Sequence, residues 1–168
     1  MIHDEHPFSD PDEVRDPVRR FRGRLAAPVT VVTSGGPQGR AGLTVSSIIV
    51  AEGDPARIYF LCGMSTDLWE AMAATGAFVV HILERSSRHI SEAFAGLRPS
   101  PGGPFAGLDP VDGPHGPVIP SLLTRAYCTL AGSEDTGRGY ALVEGVIDDV
   151  ELHDLAEPLQ YFRGGFLG

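Results

Sequence analysis

The stretch Gly42-Leu43-Thr44-Val45-Ser46-Ser47 decides how this chain is interpreted, because three hydroxyl side chains fall within four residues of an otherwise apolar segment. A strand usually alternates apolar and polar residues, or is apolar throughout when both of its faces are buried. The segment continues as Ile48-Ile49-Val50, which predicts a strand that carries small polar groups. Two interpretations are open here: a polar strand edge beside a turn, or a rigid strand whose hydroxyls bind a polar, phosphorylated ligand.

Other β-rich runs surround this segment and are separated by glycine- and proline-containing turns. They follow one another largely in hairpin order, which favours antiparallel pairing. We therefore expect a mainly β fold: a closed antiparallel split barrel of six or seven strands, with two or three short helices packed outside it. The predicted strands are Pro28–Thr33, Ala41–Ala51, Arg57–Cys62, Phe78–Leu83, Thr124–Ala131, Gly139–Val150 and a last one in 158–164.

Helical signals occur at three places. Apolar residues at helical spacing predict an amphipathic helix within 12–25, and Ser65-Thr66-Asp67 provides capping groups for a second helix that Gly76 ends. A third is expected after Ser86 and Ser87. Residues 1–11 are polar and predict a disordered arm, so the domain is expected to span 12–168. The glycine- and proline-rich residues 96–120 predict a long irregular loop, of the kind that is usually functional or wraps a neighbour.

Composition narrows the classes of function. The formal charge is −9 and the chain has no lysine, which argues against nucleic acid or an anionic membrane as a partner. No apolar run is long enough to span a bilayer and the start does not resemble a signal peptide, so we expect a cytoplasmic protein. Cys62 and Cys128 are expected to be reduced thiols, and no histidine or cysteine spacing predicts a metal site.

Taken in order, several further motifs resemble those of the flavin reductase-like, FMN-binding split-barrel family. The resemblance covers roughly residues 14 to 166, and its specificity comes from the order and spacing of pieces that are weak alone. The motifs are Phe21–Thr33, Gly42–Ser47, Asp54-Pro55, Ser65-Thr66, Trp69–Met72, Gly76–Leu83, Phe105–Gly107, Gly116–Ile119, Cys128 and Pro158–Gly164.

The resemblance implies a homodimer that binds FMN or FAD near the subunit interface and uses NADH or NADPH to reduce flavin for a partner monooxygenase. Carried over by motif, Thr44, Val45, Ser46 and Ser47 would line the isoalloxazine ring and ribityl chain, and Ser65 and Thr66 would hold the phosphate. The chemistry between the two cofactors requires no protein acid or nucleophile, so no catalytic residue is predicted.

The residues themselves agree with this assignment in part. Ser65 and Thr66 stand at a predicted helix N-terminus, which favours an anion, although they can equally be simple capping residues. On a straight strand Thr44 and Ser46 point to one face and Ser47 to the other, so all three reach one ligand only if the strand bulges. Arg163 is a candidate partner for a phosphate or a nicotinamide nucleotide, as are Arg85 and Arg88, and each is equally well a surface arginine.

Two departures from the family affect nicotinamide recognition more than flavin binding. Many relatives carry Gly-Asp-His before a late long strand, where this chain has Gly137-Arg138-Gly139-Tyr140, and Tyr140 is a candidate wall of the nicotinamide pocket. His81 stands where asparagine is common and is interpreted as a packed, hydrogen-bonded strand residue. Two alternatives therefore remain: a non-catalytic flavin carrier or sensor, and an oxidoreductase that keeps its flavin bound and acts on a small organic molecule.

Overall fold

The computed structural model describes residues 16–154 and 156–167. The predicted arm 1–11 and the predicted start of the domain lie outside these ranges. The described helices are α1 (Pro17–Gly23), α2 (Asp67–Thr75) and α3 (Arg88–Phe94), the last preceded by a 3₁₀ turn at Arg85–Ser87. The strands are β1 (Ala27–Pro28), β2 (Thr30–Ser34), β3 (Ala41–Val45), β4 (Ile48–Ala51), β5 (Arg57–Gly63), β6 (Ala77–Ile82), β7 (Val111–Gly113), β8 (Gly116–Val118), β9 (Arg125–Asp135), β10 (Tyr140–Glu151), β11 (Gln160–Phe162) and β12 (Gly165–Leu167).

Seven strands form one antiparallel sheet in the order β3-β2-β6-β9-β10-β5-β4. Strands β3 and β4 lie at opposite edges of this sheet although only Ser46 and Ser47 separate them in sequence. So short a link joins the two edges only if the sheet curls until they meet, and the result is a barrel. The mainly β prediction with short helices is confirmed, whereas the single strand predicted over Ala41–Ala51 is wrong because the chain changes sheet edge in its middle.

The pairing of the two longest strands, β9 and β10, is irregular, and this helps the sheet to close into a barrel. The register of β9 against β10 shifts at Glu144/Gly145 and again at Ile147/Asp149. Bulges of this kind increase local twist and bend a sheet. Gly145 also lies so close to the core that a Cβ there would stand 2.5 Å from Cζ of Phe78. The barrel interior is filled by a cluster that includes Val32, Val45, Ile58, Phe60, Leu68, Met72, Phe78, Val80 and Val143.

Helix α2 lies along the seam of the barrel. It begins just after β5 and ends beside β2, where the Ser34 hydroxyl lies 3.1 Å from the Thr75 hydroxyl. Its residues Leu68 and Met72 are fully buried in the barrel core. Helix α3 covers the outer face of β2 and β3 and forms a second apolar cluster there with Val29 and Val31. Both faces of β2 are therefore covered, which explains why every one of its residues is buried.

Residues 96–120 were predicted to be an irregular loop, but the part from Val111 to Ile119, here called the strap, contains the β7–β8 hairpin and packs on the outside of the sheet. The Thr33 hydroxyl donates to the Pro117 carbonyl over 2.6 Å, and the Ile119 N–H donates to Nε2 of His81 over 3.1 Å. Turn-forming residues in 96–120 thus hid a small ordered element, whose anchors come from strands distant in sequence.

His81 has the packed, hydrogen-bonded role that the sequence suggested. Its Nδ1 lies 3.1 Å from the Val31 carbonyl, and its Nε2 accepts from the strap. This pair of contacts requires a neutral ring with its proton on Nδ1. Burial lowers the pKa of His81 to about 4, the Val31 hydrogen bond acts in the opposite direction, and the charge of Arg125 lowers it further.

Helix α1 is shorter than the helix predicted within 12–25. It starts at Pro17, and the side chain of its N-cap Asp16 accepts from the Val18 N–H over 2.8 Å. The periodic residues Val18, Phe21 and Leu25 are 72%, 68% and 59% exposed. The helical spacing was therefore a correct signal for the helix, but its apolar side does not pack against the described part of the chain.

Candidate functional site

The two hydroxyl-bearing segments singled out in the sequence meet at one end of the barrel. Ser47 lies opposite the end of β5, where its Oγ accepts from the Leu61 N–H over 3.2 Å. Two residues further along β5, the Gly63 carbonyl accepts from the Thr66 hydroxyl over 2.7 Å and from the Thr66 N–H over 3.2 Å. The link between β3 and β4 and the turn that leads into α2 are thus neighbours, as a single ligand contacting both would require.

Thr44 and Val45 mainly make contacts within the protein itself. The Thr44 hydroxyl donates to the Ser91 carbonyl of α3 over 2.6 Å. The side chain of Val45 is 3% exposed and belongs to the barrel core, and its carbonyl accepts from the Thr30 hydroxyl over 2.7 Å. These two residues position the strand that leads into the link, and their contacts with a ligand remain predictions.

Ser47 also acts on the backbone. Besides accepting from the Leu61 N–H, its hydroxyl lies 3.5 Å from the Leu61 carbonyl, the geometry of a weak donor. The side chain therefore extends the β4–β5 pairing by one position beyond the Ile48–Phe60 pair. These contacts satisfy main-chain atoms of Leu61 in β5 just beyond the β4–β5 pairing, and they hold the link in place.

The start of α2 is capped as the sequence predicted. Thr66 is the N-cap, and its hydroxyl accepts from the Trp69 N–H over 3.3 Å. The N–H groups of Asp67 and Leu68, at the first two helical positions, have no acceptor within the helix. Asp67 is exposed, so its N–H is open to a ligand oxygen, whereas Leu68 is 1% exposed. The first turn also carries the carboxylates of Asp67 and Glu70, which oppose an anion but are exposed and therefore screened by water.

Ser46 and Ser65 differ from the three residues whose hydroxyls hold the backbone. Across residues 16–154 and 156–167 the structure shows no hydrogen bond from either of these two side chains. Ser46 is partly exposed in the link and Ser65 is exposed just before the cap of α2. The site therefore divides into hydroxyls that hold the backbone (Thr44, Ser47 and Thr66) and hydroxyls that are left for a ligand.

The candidate arginines lie elsewhere. Arg163 stands in the turn between β11 and β12, where its N–H donates to the Gly23 carbonyl over 2.6 Å at the end of α1. Within the described ranges no contact links it to Ser46 or Ser65, and its role in binding a cofactor stays a prediction. The guanidinium of Arg85 pairs with Glu157 over 2.8 Å, and that of Arg88 pairs with Glu92 over 2.8 Å.

The two cysteine thiols are buried, and the described residues form no metal-binding cluster. Cys62 and Cys128 are free thiols buried in the core, and burial raises the pKa of Cys128 to about 12, with a smaller contribution from the charge of Asp148. No group of three or more histidine, cysteine or carboxylate side chains in the described residues could hold a metal ion. Nor is any helix there long and apolar enough to cross a membrane.

Sequence reasoning missed three participants: Leu61, Gly63 and Ser91. Each contributes main-chain atoms, which any residue type possesses, so Leu61 and Ser91 gave no signal. Gly63 offered a weak one, since a glycine at the end of a strand often marks close approach by another group. A Cβ on Gly63 would lie 3.3 Å from Cγ2 of Thr66 and 3.9 Å from Cε1 of Tyr140.

The residues present fit a flavin. The ribityl chain of such a cofactor is rich in hydroxyls, which pair with serine hydroxyls, and its phosphate suits a free N–H group at the start of α2. The hydroxyls of Ser46 and Ser65 and the N–H group of Asp67 are the members of such a set that the fold leaves exposed or partly exposed.

Comparison with known proteins finds flavin reductases among the relatives of this chain. The chain is 30% identical to the NADH-dependent FMN reductase AsuE2 of Streptomyces nodosus subsp. asukaensis, over 98% of this chain and 89% of that protein. It is 27% identical to the flavin-dependent monooxygenase reductase subunit HsaB of Mycobacterium tuberculosis, over 89% of this chain and 81% of that one. The solved structure of the flavin reductase PheA2, 22% identical, shares the fold with a TM-score of 0.80, covering 94% of this chain and 97% of that one.

A family model described as a flavin reductase like domain matches residues 22–168. The match extends from α1 to the end of the chain and includes the link between β3 and β4 and the start of α2. This protein therefore belongs to the flavin reductase-like family.

Proposed function

We propose that this protein is an NADH-dependent flavin reductase that supplies reduced flavin to a partner monooxygenase. The observation that carries the proposal is that the hydroxyls of Ser46 and Ser65 are uncommitted, while their neighbours Ser47 and Thr66 are both bonded to the end of β5. The names of the relatives support it: AsuE2 is an NADH-dependent FMN reductase, and HsaB is the reductase subunit of a flavin-dependent monooxygenase.

When bound, the flavin and the nicotinamide supply the hydride chemistry themselves. The protein's part is to hold the rings in a reactive arrangement and to limit competing reactions. Ser46 and Ser65 bind hydroxyl and phosphate oxygens, and the N–H group of Asp67 adds a donor at the helix start. Thr44, Ser47 and Thr66 hold the backbone that carries these groups. Arg163 is proposed to approach the nucleotide from the β11–β12 turn.

The first test is catalytic. Purified protein is mixed with NADH, or with NADPH in a parallel arm, and with FMN, FAD or riboflavin, and nicotinamide oxidation is followed by absorbance. We expect turnover with at least one flavin. Folded protein that oxidises no nicotinamide with any of them would exclude a reductase. A yellow protein without turnover would instead be a flavin carrier.

The second test locates the site. Ser46→Ala combined with Ser65→Ala should weaken flavin binding by about 1–3 kcal/mol, since two hydrogen bonds to a partly buried ligand are lost. Flavin affinity is measured by fluorescence titration. The matched control is Ser100→Ala, whose hydroxyl makes only a local contact of 3.4 Å with the Arg98 carbonyl. Equal flavin affinity in the double variant and the control would place the site elsewhere.

The same proposal includes a homodimer, supported by an exposed apolar face beside the site. Ile49, Leu61 and Leu142 are 68%, 42% and 38% exposed. They project from the outer side of β4, β5 and β10, where Leu61 and Leu142 are paired in register. A second copy covering this face would leave the site at the rim of the interface. Light scattering on Leu61→Arg tests this: dissociation is expected, and an unchanged mass would rule this face out.

We also propose that the protein acts in the cytoplasm. Support comes from its two free, buried cysteines, which form no disulfide, as is usual in a reducing compartment. Fractionation of cells that express the tagged full chain tests the location.

A further inference from the structure

Tyr140, which the sequence named as a candidate wall of the nicotinamide pocket, lies beside the candidate site. It is the first residue of β10 and pairs in register with Gly63 at the end of β5. Its neighbour Gly139 accepts from the Met64 N–H over 2.9 Å, which fastens the start of β10 to the turn that leads into α2. The Tyr140 ring is therefore mounted on a paired strand, within two residues of the segment that carries Ser65.

The absence of a side chain at Gly63 determines what lies next to the ring. The position that a Cβ of Gly63 would occupy is 3.9 Å from Cε1 of Tyr140 and 3.3 Å from Cγ2 of Thr66. The Tyr140 ring and the Thr66 methyl thus flank a small gap over the backbone of Gly63, here called the Gly63 gap.

The exposure of Tyr140 is unusual for this chain. It is 54% exposed, and Phe21 is the one other exposed aromatic side chain in the part that the structure describes. Phe21 lies on α1, whereas Tyr140 adjoins the candidate site. Its hydroxyl has no hydrogen-bond partner in the described ranges, so the fold uses little of this side chain.

Aromatic rings with an open face stack on the flat heterocycles of nucleotides, and such stacking contributes substantially to affinity. The other side chains assigned to the site are short hydroxyls, which bind the chain and phosphate of a cofactor but offer no surface to a ring. A stacking surface at the Gly63 gap would add the group that binds the ring of the cofactor.

We propose that Tyr140 is a ring-binding residue of this site, stacking on a flat heteroaromatic ring held between the Gly63 gap and the link at Ser46. The ring belongs either to the flavin or to the nicotinamide nucleotide. This rests on the proposed function, because that function brings both heterocycles to the site.

The test compares Tyr140→Ala with Tyr140→Phe, which keeps the ring. Two quantities are measured: the Kd of FMN, by quenching of flavin fluorescence without NADH, and the KM of NADH at saturating FMN. Tyr140→Ala should raise one of them by about 5- to 100-fold, and Tyr140→Phe should change neither by more than about twofold. A raised FMN Kd assigns the stacking to flavin; a raised NADH KM with unchanged FMN Kd assigns it to the nicotinamide nucleotide.

Phe21→Ala is the control for loss of an exposed aromatic side chain away from the site, and it should leave both quantities unchanged. If Tyr140→Ala leaves both quantities at the wild-type value, the stacking role is overturned. It is also overturned if Tyr140→Ala lowers the mass measured by light scattering and its binding defect disappears at high protein concentration, because the ring then serves the subunit interface.

Failure of this inference can be told from failure of the proposed function. A wild-type protein that turns over NADH and flavin normally, with an equally active Tyr140→Ala variant, removes only the role of Tyr140. A wild-type protein that neither binds flavin nor oxidises nicotinamide removes the function, and with it the premise for Tyr140.

Discussion

The strap side of the barrel and the end that carries the candidate site differ in whether their polar side chains are hydrogen-bonded to the protein. Under the strap, the hydroxyl of Thr33 and both ring nitrogens of His81 are buried, and each has a main-chain partner. At the site, the hydroxyls of Ser46 and Ser65 have no partner in the described ranges and are in contact with water. Buried polar groups stabilise a fold only when they are satisfied, whereas groups left free at a surface remain able to bind.

The largest effect is expected from His81→Leu. The substitution leaves the buried Ile119 N–H without its acceptor and removes the side-chain hydrogen bond to the Val31 carbonyl, which stays in the β2–β6 ladder. The stranded N–H costs about 1–3 kcal/mol and the lost hydrogen bond about 1 kcal/mol, so the free energy of unfolding should fall by up to about 4 kcal/mol. Urea unfolding measures it. His89→Leu, at an exposed histidine of α3, is the control and should change the free energy little. A similar loss of unfolding free energy in both variants would mean that the contacts of His81 with the strap do not cause the destabilisation.

Next comes the pH dependence of stability. The pKa of His81 falls from 6.5 to about 4 on folding, so the unfolded chain takes up this proton first as the pH falls. The stabilisation is complete above about pH 6.5 and is lost progressively down to about pH 4, by about 3 kcal/mol. Urea unfolding across this range, in wild type and in His81→Gln, isolates the contribution. The Gln variant accepts a hydrogen bond without titrating there, so a slope as steep as that of the wild type would refute the assignment.

A smaller loss is expected where α3 touches the sheet. In Gly42→Ala the new Cβ would stand 2.5 Å from Cε1 of Phe94, so the ring or the helix must move. Overpacking of this kind costs about 1–3 kcal/mol. Thermal unfolding provides the measurement. Gly132→Ala is the matched control because nothing lies within 4 Å of its Cβ position. If both alanines lower the Tm equally, the close approach is not the cause.

The smallest effect tests whether the Thr66 hydroxyl stabilises the fold while the Ser65 hydroxyl binds the ligand. Thr66→Ala removes the cap of α2 and should lower the free energy of unfolding by about 1 kcal/mol. Ser65→Ala, one residue earlier, should leave stability unchanged and weaken flavin binding instead. Chemical unfolding and flavin titration of both variants provide the comparison. A pair in which Ser65→Ala destabilises and Thr66→Ala does not would reverse the two assigned roles.

Local patterns were sufficient for much of the fold. The β-branched run from Thr30 and the threonine cap before α2 each predict an element from neighbouring residues alone, and both predictions are confirmed. The strand predicted over Ala41–Ala51 failed for a reason that no local pattern contains. Ser46 and Ser47 are compatible with a continuous strand, and only the closure of the barrel moves the chain from one sheet edge to the other.

The candidate site shows the same limit. The sequence identified the hydroxyls of the link and of the helix start, but the two kinds could not be separated. Whether a hydroxyl is committed depends on which main-chain atom lies beside it, and the partners of Thr44 and Ser47 come from Ser91 and Leu61, distant in sequence. The strap was hidden for a similar reason, since its anchors Thr33 and His81 lie on β2 and β6.

The sequence by itself determined that this is a mainly β member of a flavin-handling family, because strand periodicity, caps and motif order are properties of adjacent residues. The tertiary structure decided which of the hydroxyls hold the protein together and which remain for a ligand. That distinction arises when the chain folds up, since closure of the barrel brings the ends of β3 and β5 together and gives Ser47 its partner, and the packing of α3 gives Thr44 its own.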